Sequence, residues 1–457
     1  FSTTTKLKGI ATFVLGANTF MGSNSSPTRF NGTQYTTAYN TANYGATTFN
    51  YDVRLNFDTS FTGKDLLRTT LRAANAAGTN GSLYGPNMGS LAQMEAFFEQ
   101  PAGDNVVGVN RLFYNFPMGQ ELSLTAGALV RTDDAGMLGI WPSVYPADTV
   151  LDFFTYAGAP GAYNLNGLGA GAGFVWSPKA IKGLTISQNY VSADGSTYAN
   201  NATGQNMGNA GSGNPENGGV WTSGSGGVAV TQVGYAGEKA PLVGGSYAIA
   251  FAYTYSQNVG LPVGTPLALS YSDYNATNSG YSSGNNYGLS GYWKPEKTGL
   301  IPSISWGFGG GSYNVGAATM SSGGSVTSTK GITTASWYTG LQWDDALIKG
   351  NAFGMGVGQA PFVTQRGSMA AGTPGAATCA ASNSTGCSGS YDSNYMWEWW
   401  YKFQVTDNIT ITPAIYYISN FDGQLGSNQN PTYNIKGQNG TASNNLFGGL
   451  IKTTFKF

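Results

Sequence analysis

Apolar and polar positions alternate along most of this chain. Between residues 49 and 62, Tyr51, Val53, Leu55 and Phe57 fall on one face of an extended backbone, and Asp52, Arg54, Asn56 and Asp58 fall on the other. That period of two marks a strand with one apolar and one polar face. Segment 66–77 continues it, with Leu67, Thr69 and Leu71 opposed to Arg68 and Arg72, and segments 106–116 and 121–131 follow. In 246–258, Tyr247, Ile249, Phe251, Tyr253 and Tyr255 alternate with Ala248, Ala250, Ala252 and Thr254. In 393–405, Tyr395, Trp397, Trp399, Tyr401 and Phe403 alternate with Met396, Glu398, Trp400 and Lys402. A soluble sandwich rarely carries five aromatics on one strand face, whereas a lipid-facing strand near an aromatic girdle does. The C-terminal stretch ends on Phe457, with Phe455, Thr453, Ile451, Gly449 and Phe447 on its face and Lys456, Thr454, Lys452 and Leu450 on the other. This is the pattern of the closing strand of a transmembrane barrel; an edge strand of a soluble sheet is the plainer alternative.

The connections between strands alternate in length. Short ones fall near 63–65, 117–120, 178–183, 259–264, 295–300, 344–349 and 406–408. Long polar ones fall near 16–48, 78–105, 132–161, 193–245, 276–285, 313–332, 360–392 and 420–444. Together they separate sixteen strands, from one near 3–15 to one ending at Phe457. The stretch 228–236 is placed inside the fourth long loop, and the interval between 259–264 and 276–285 counts as a strand. The expected fold is an all-β, antiparallel transmembrane barrel of about sixteen strands, a single domain over 1–457. Its long loops are extracellular, its termini lie on the periplasmic side, and the third long loop folds inward as a constriction. A barrel of that size leaves an aqueous lumen.

Composition narrows the alternatives. Charged residues make up 9% of the 457 and Gly accounts for 68, while mean hydropathy is only -0.17. Soluble domains carry roughly 25% charged residues. No apolar run approaches the roughly 18 residues of a spanning helix, and no fixed short repeat marks a solenoid. A net charge of -1 provides no phosphate-neutralising patch, which excludes nucleic acid as a partner. The chain has no His, which removes the commonest general base and metal ligand; no catalytic, metal or cofactor site is expected. Cys379 and Cys387 enclose a short polar interval that reads as a disulfide-closed loop outside the cytosol. The opening at Phe1, with neither an initiator Met nor a signal peptide, reads as a processed or partial chain.

Three stretches carry a family resemblance. They are Phe1-Ser-Thr-Thr-Thr-Lys-Leu-Lys-Gly9, the run from Tyr51 to Leu66, and the run from Val144 to Asn164. Together they resemble the cyanobacterial porins grouped with the carbohydrate-selective (OprB-like) porin family. The resemblance implies a trimeric diffusion channel embedded in outer-membrane lipid. It also implies an N-terminal S-layer-homology domain gripping a peptidoglycan-linked polymer, which is not visible in this chain. The cyanobacterial members resemble channels for inorganic ions and small solutes more than sugar channels.

Permeation chemistry is expected where charge meets the lumen. Five of the seven Arg, namely Arg54, Arg68, Arg72, Arg111 and Arg131, fall on polar faces of the second to fifth strands. They could form a basic ladder on the lumen wall. Asp133, Asp134, Asp148 and Asp152 lie in the third long loop, and Glu95 and Glu99 in the second. An inward third loop would set carboxylates across the opening from the ladder and create a transverse field. The alternative is that neighbours such as Asp52 or Asp58 neutralise each Arg. The loop aromatics Trp141, Tyr145, Phe153, Phe154 and Tyr156 read as packing that pins the loop, or else as a slide for sugar faces. A barrel enzyme, a purely structural tether between membrane and wall, and a secreted adhesin are the rival classes.

Overall fold

The computed structural model describes residues 4–22, 28–30, 33–35, 37–76, 90–100, 103–146, 150–196, 218–265, 268–269, 282–297, 299–315, 318–319, 325–326, 329–368, 393–421 and 444–457. Sixteen strands close into one antiparallel barrel. In chain order they are β1 (Thr4–Gly22), β2 (Thr48–Ser60), β3 (Leu66–Ala74), β4 (Gly108–Met118), β5 (Leu122–Arg131), β6 (Leu168–Trp176), β7 (Leu184–Ser192) and β8 (Gly227–Gly237). The second half comprises β9 (Ser246–Gln257), β10 (Ser283–Lys294), β11 (Ser303–Val315), β12 (Thr329–Asp344), β13 (Ala352–Ser368), β14 (Met396–Thr406), β15 (Ile409–Ile418) and β16 (Asn444–Lys456). Each strand pairs with its chain neighbours, and β1 closes the ring by pairing with both β2 and β16. Closure leaves no unpaired edge, so every wall strand has hydrogen-bonding neighbours on both sides. One short helix, α1 (Thr37–Tyr44), lies in the connection after β1.

The alternation sorts the side chains as the pattern requires. On β1, Phe13 and Leu15 are exposed, while Thr12, Val14, Asn18 and Phe20 are buried. On β9, Ile249, Phe251 and Tyr255 are exposed against buried Ala248, Ala250, Ala252 and Thr254. The buried set faces inward, because Thr254 Oγ1 donates to the Ala162 carbonyl of a loop inside the barrel. Outward, Trp397 and Trp399 stack with ring centroids 5.7 Å apart.

The strand count agrees with the pattern, but two assignments exchange places. Residues 228–236 form a barrel strand, β8, which pairs with β7 and β9. No wall strand comes between β9 and β10, which pair directly with each other from Ser283 onward. The error has a physical source. The inward side of β8 is itself apolar, with Val228 and Val230 buried beside Leu138, so its alternation is weak. The tight turn after it, where Ala240 N donates to Gly245 O at 2.7 Å, hides behind Glu238 and Lys239. The supposed short turn at 259–264 instead belongs to a long connection, with Leu261 buried beside Tyr313, Ile332 and Val363. Cys379 and Cys387 lie outside the described residues.

The connection between β5 and β6 (132–167, hereafter L3) runs through the interior. It hydrogen-bonds Gln232 of β8, Ser290 of β10, Ser305 of β11, Ser336 of β12 and Glu398 of β14. The inward wall here is paved with Gly, Ala and Ser, which brings the L3 backbone into direct contact with the strands. A Cβ at Gly307 would lie 1.8 Å from the Ala157 carbonyl oxygen, and one at Gly340 would meet the Tyr145 ring at 2.6 Å. Only Gly fits these approaches.

Candidate constriction site

Two loops meet inside the barrel. The connection between β3 and β4 (75–107, L2) buries Leu91, Met94, Ala96 and Phe97, and its short 3-10 turn Glu95–Phe97 faces L3. Met94 and Leu151 form an isolated antiparallel bridge. Glu95 N donates to Val150 O at 3.1 Å, and Asp152 N donates to Gln93 O at 2.8 Å. These bonds satisfy backbone groups that would otherwise be stranded away from water. L2 and L3 therefore act as one crosspiece, resting on the arginine wall at one end and on β14 at the other.

At the arginine end the inward registers of β2 to β5 bring the five Arg together. The Asp52 carboxylate bridges two of them, accepting from Arg54 Nε at 2.9 Å and Arg72 Nε at 2.7 Å. Both guanidinium groups also donate to the Ala96 carbonyl, at 3.1 and 2.9 Å. Glu99 is a second hub: Arg131 Nη1 lies 2.6 Å away, Arg111 Nη2 2.8 Å and Arg72 Nη1 3.7 Å. Asp133 holds Arg131 bidentately at 2.5 and 2.9 Å. Asp134 lies 2.7 Å from Arg111 Nε as an ion pair without hydrogen-bond alignment. Farther along, Asp58 accepts two bonds from Arg68, at 2.8 and 3.0 Å, and one from Lys8 at 3.1 Å.

This geometry decides how the charges are arranged. Six cationic side chains meet six carboxylates, namely Asp52, Asp58, Glu95, Glu99, Asp133 and Asp134. Asp133 and Asp134 sit beside Arg131 and Arg111 rather than across an opening from them. Arg72 and Arg111 are buried, whereas Arg54, Arg68 and Arg131 retain partial exposure. The wall is thus a neutralised network that clamps L2. Asp148 lies outside the described residues.

Loop chemistry follows from the same contacts. Burial opposes the Glu99 carboxylate, but Arg131, Arg111 and Arg72 outweigh it and bring it down to about 2. Burial also works on Asp134, and with Asp133 beside it the carboxyl rises above its ordinary range despite Arg111. Asp152 stands apart from the cations. It accepts from Tyr156 OH at 3.0 Å and from Thr155 Oγ1 at 3.2 Å. Burial first, and the Glu95 carboxylate second, push Asp152 up to about 7.

Two consequences can be measured. Folding raises the Asp152 pKa above its ordinary 3.8. The protonated acid therefore contributes stability that is complete below that value and is lost as pH rises through 7. The L2–L3 junction should loosen progressively over about pH 4–7, seen as faster proteolysis of L3, and Asp152→Asn should flatten that dependence. Replacing Arg72, whose side chain is 2% exposed, by Met leaves Asp52 and Glu99 short of a buried partner. Unfolding in detergent should show a loss of about 3–5 kcal/mol.

The loop aromatics divide into two groups. Tyr145, Phe153, Phe154 and Tyr156 are buried, with Phe153 and Phe154 in contact at 5.1 Å between centroids. Trp141 instead borders a cavity of about 270 Å³, together with Glu95, Phe98, Arg131, Asp133 and Asp152. It packs on Tyr163 at 5.2 Å. At the far end of the crosspiece is Glu398, whose role sequence reasoning missed. It accepts from Tyr145 OH at 2.6 Å and from Leu151 N at 2.9 Å, while Trp400 Nε1 donates to Tyr145 OH at 2.7 Å. The available signal was a lone carboxylate on the inward face of an aromatic strand.

No family model matches the chain. An uncharacterized protein of Synechocystis sp. is 27% identical over 392 residues, covering 82% of this chain and 60% of that protein. One from Nostoc sp. is 27% identical over 502 residues, covering 100% of this chain and 66% of that protein. The chain therefore spans less than two thirds of either relative. Among solved structures, the high-pH form of Pseudomonas putida OprB aligns over 100% of this chain and 94% of its own, at 12% identity and TM-score 0.49. The anion-selective porin of Comamonas acidovorans aligns over 100% of both chains at 11% identity and TM-score 0.46. The closed barrel described above stands on its own strand pairing and does not depend on these alignments.

Proposed function

We propose that this chain is a single-domain outer-membrane porin through which inorganic ions and small hydrophilic solutes diffuse passively. The observation that carries the reading is a closed sixteen-stranded barrel whose interior holds a charged cavity between L3 and the arginine wall. Exposed apolar side chains on the outward faces suit lipid, which a barrel can span because every backbone group is paired within the wall. In this reading solutes pass Arg131, Glu95 and Asp133 at the cavity, and the buried Arg72 and Arg111 hold the wall beside them. No catalytic role is assigned to any residue.

The finer reading is a cyanobacterial outer-membrane channel of the OprB-like type, working as a homotrimer. In this reading it is joined to the cell wall by an S-layer-homology domain, and Cys379 and Cys387 close a loop by a disulfide. The sequence resemblance and the two cyanobacterial relatives support it. A carbohydrate channel is the second reading, favoured by Trp141 and Phe98 beside acidic groups at the cavity. Single-channel recording of the purified chain in planar bilayers tests both. Steady conductance steps without block by millimolar maltose or sucrose are expected. Sugar block would select the carbohydrate channel, and properly folded protein without steps would leave a structural tether.

A further inference from the structure

The constriction is charge-balanced, but the wall on the short-turn side of it is not. On β14, β16 and β1 the inward face toward the short turns carries Lys402, Lys452, Lys456 and Lys6, next to the Lys8–Asp58–Arg68 group already counted in the balanced network. The register fixes this placement. Lys6 lies opposite Asp58 and Lys8 opposite Asn56; Asp58 lies opposite Arg68. Lys456 lies opposite Ile10 and Lys452 opposite Val14. Lys452 also faces Thr412 on β15, and Lys402 follows the inward-facing Glu398 and Trp400 on β14.

Lys6, Lys8 and Lys456 are exposed and Lys402 is half-buried. Asp58 is held by Arg68 and Lys8. Asp344 on β12 pairs with Lys294 and also attracts Lys402, and Glu398 higher on β14 attracts the buried Lys452. That leaves Lys6 and Lys456 as the exposed cations without an ion pair of their own among the described residues. Asp65 is turned into its own turn, accepting from Ser60, Thr62 and Tyr114. Asp407 lies in the turn between β14 and β15.

We propose that this lysine sector is a capture site for small multivalent oxyanions at the short-turn mouth of the lumen, a proposal that rests on the channel reading above. One sign of charge lining a concave wall of low dielectric focuses the field and concentrates counter-ions. Neighbouring strands lie about 4.8 Å apart, and Lys456 lies opposite Ile10, two residues from Lys8. The ammonium groups of β16 and β1 can therefore converge on one anion, while Lys402 adds to the field from farther up the wall. Lysine provides mobile point-charge donors suited to a hydrated oxyanion, and Thr412 and Thr454 place hydroxyl-bearing side chains between the cations on the same face. The mouth would recruit anions while the balanced constriction passes ions of both signs.

The test uses pyrophosphate on the full chain in a planar bilayer, added to one side and then the other. Block should occur at about tenfold lower concentration from one side. The side difference should shrink when KCl is raised to about 1 M, where the screening length falls to about 3 Å. The variant Lys6→Gln, Lys402→Gln, Lys456→Gln should keep its conductance steps and lose the side difference. Equal block from both sides, or a difference that survives in the variant, overturns the proposal. Absent steps would instead sink the channel reading. Calorimetric titration of the detergent-solubilised barrel with pyrophosphate then decides the site alone. Binding lost in the triple variant supports it, and no binding to the original chain overturns it.

Discussion

Replacing Glu398 by Ala should release one end of the L2–L3 crosspiece and raise single-channel conductance while leaving the barrel closed. The carboxylate is fully buried and accepts from two different parts of L3, the Tyr145 hydroxyl and the Leu151 amide. Alanine leaves both donors without a partner and opens a void beside Trp400. Each stranded donor costs about 1–3 kcal/mol, so the combined loss is about 2–6 kcal/mol before any void is counted. Strand pairing contributes nothing to that loss, because the β14 backbone bonds to β13 and β15 are unaffected. Limited proteolysis should cut near 145–151 faster, and thermal unfolding should start earlier. Glu398→Gln keeps an acceptor for one donor and should fall between the two. Unchanged conductance and unchanged proteolysis in Glu398→Ala would show that this contact does not hold the loop.

The barrel was legible in the sequence wherever one face meets lipid and the other a polar interior. On β2 the contrast between Tyr51, Val53 and Leu55 and Asp52, Arg54 and Asn56 is complete, and the strand lies where the pattern puts it. On β8 the inward Val228 and Val230 are covered by L3 rather than water, so both faces are apolar and period-two contrast fades. The five Arg were legible as inward-facing residues because parity alone decides that. Neutralisation by Asp52 and Asp58 was legible as the alternative, but the share carried by L2 was not, because Glu95, Glu99 and the Ala96 carbonyl arrive from about 25 to 45 residues away. Local spacing carries no information about such a contact. The small residues at 305–311 and 354–358 were visible as composition only. Their meaning, a wall cleared for a loop backbone, comes from Ala157 and Phe153 lying against them.

Gly307→Val should displace the middle of L3, with a larger effect than loss of a single loop hydrogen bond. The added Cβ would sit 1.8 Å from the Ala157 carbonyl oxygen and 2.8 Å from Ser290 Oγ. Ser290 Oγ donates to that same carbonyl at 2.6 Å, so relieving the clash also breaks the bond. The loop cannot yield locally. Ala157 and Gly158 have φ of 50° and 75°, and a Cβ on Gly158 would lie 2.5 Å from the Gly307 carbonyl oxygen. Two backbones are therefore in contact with no flexible side chain between them, and overpacking there costs about 3 kcal/mol or more. β11 can keep its ladder to β10 and β12, so the expected product is a closed barrel with L3 lifted and conductance raised. Residues 157–158 and the Glu398 anchor at 145–151 bear on different strands. If each holds the loop on its own, the stability losses of Gly307→Val and Glu398→Ala should add in the double variant to within about 0.5 kcal/mol. If lifting either one frees the whole crosspiece, the second substitution should cost almost nothing after the first, and L3 would then move as one rigid unit between the arginine wall and β14.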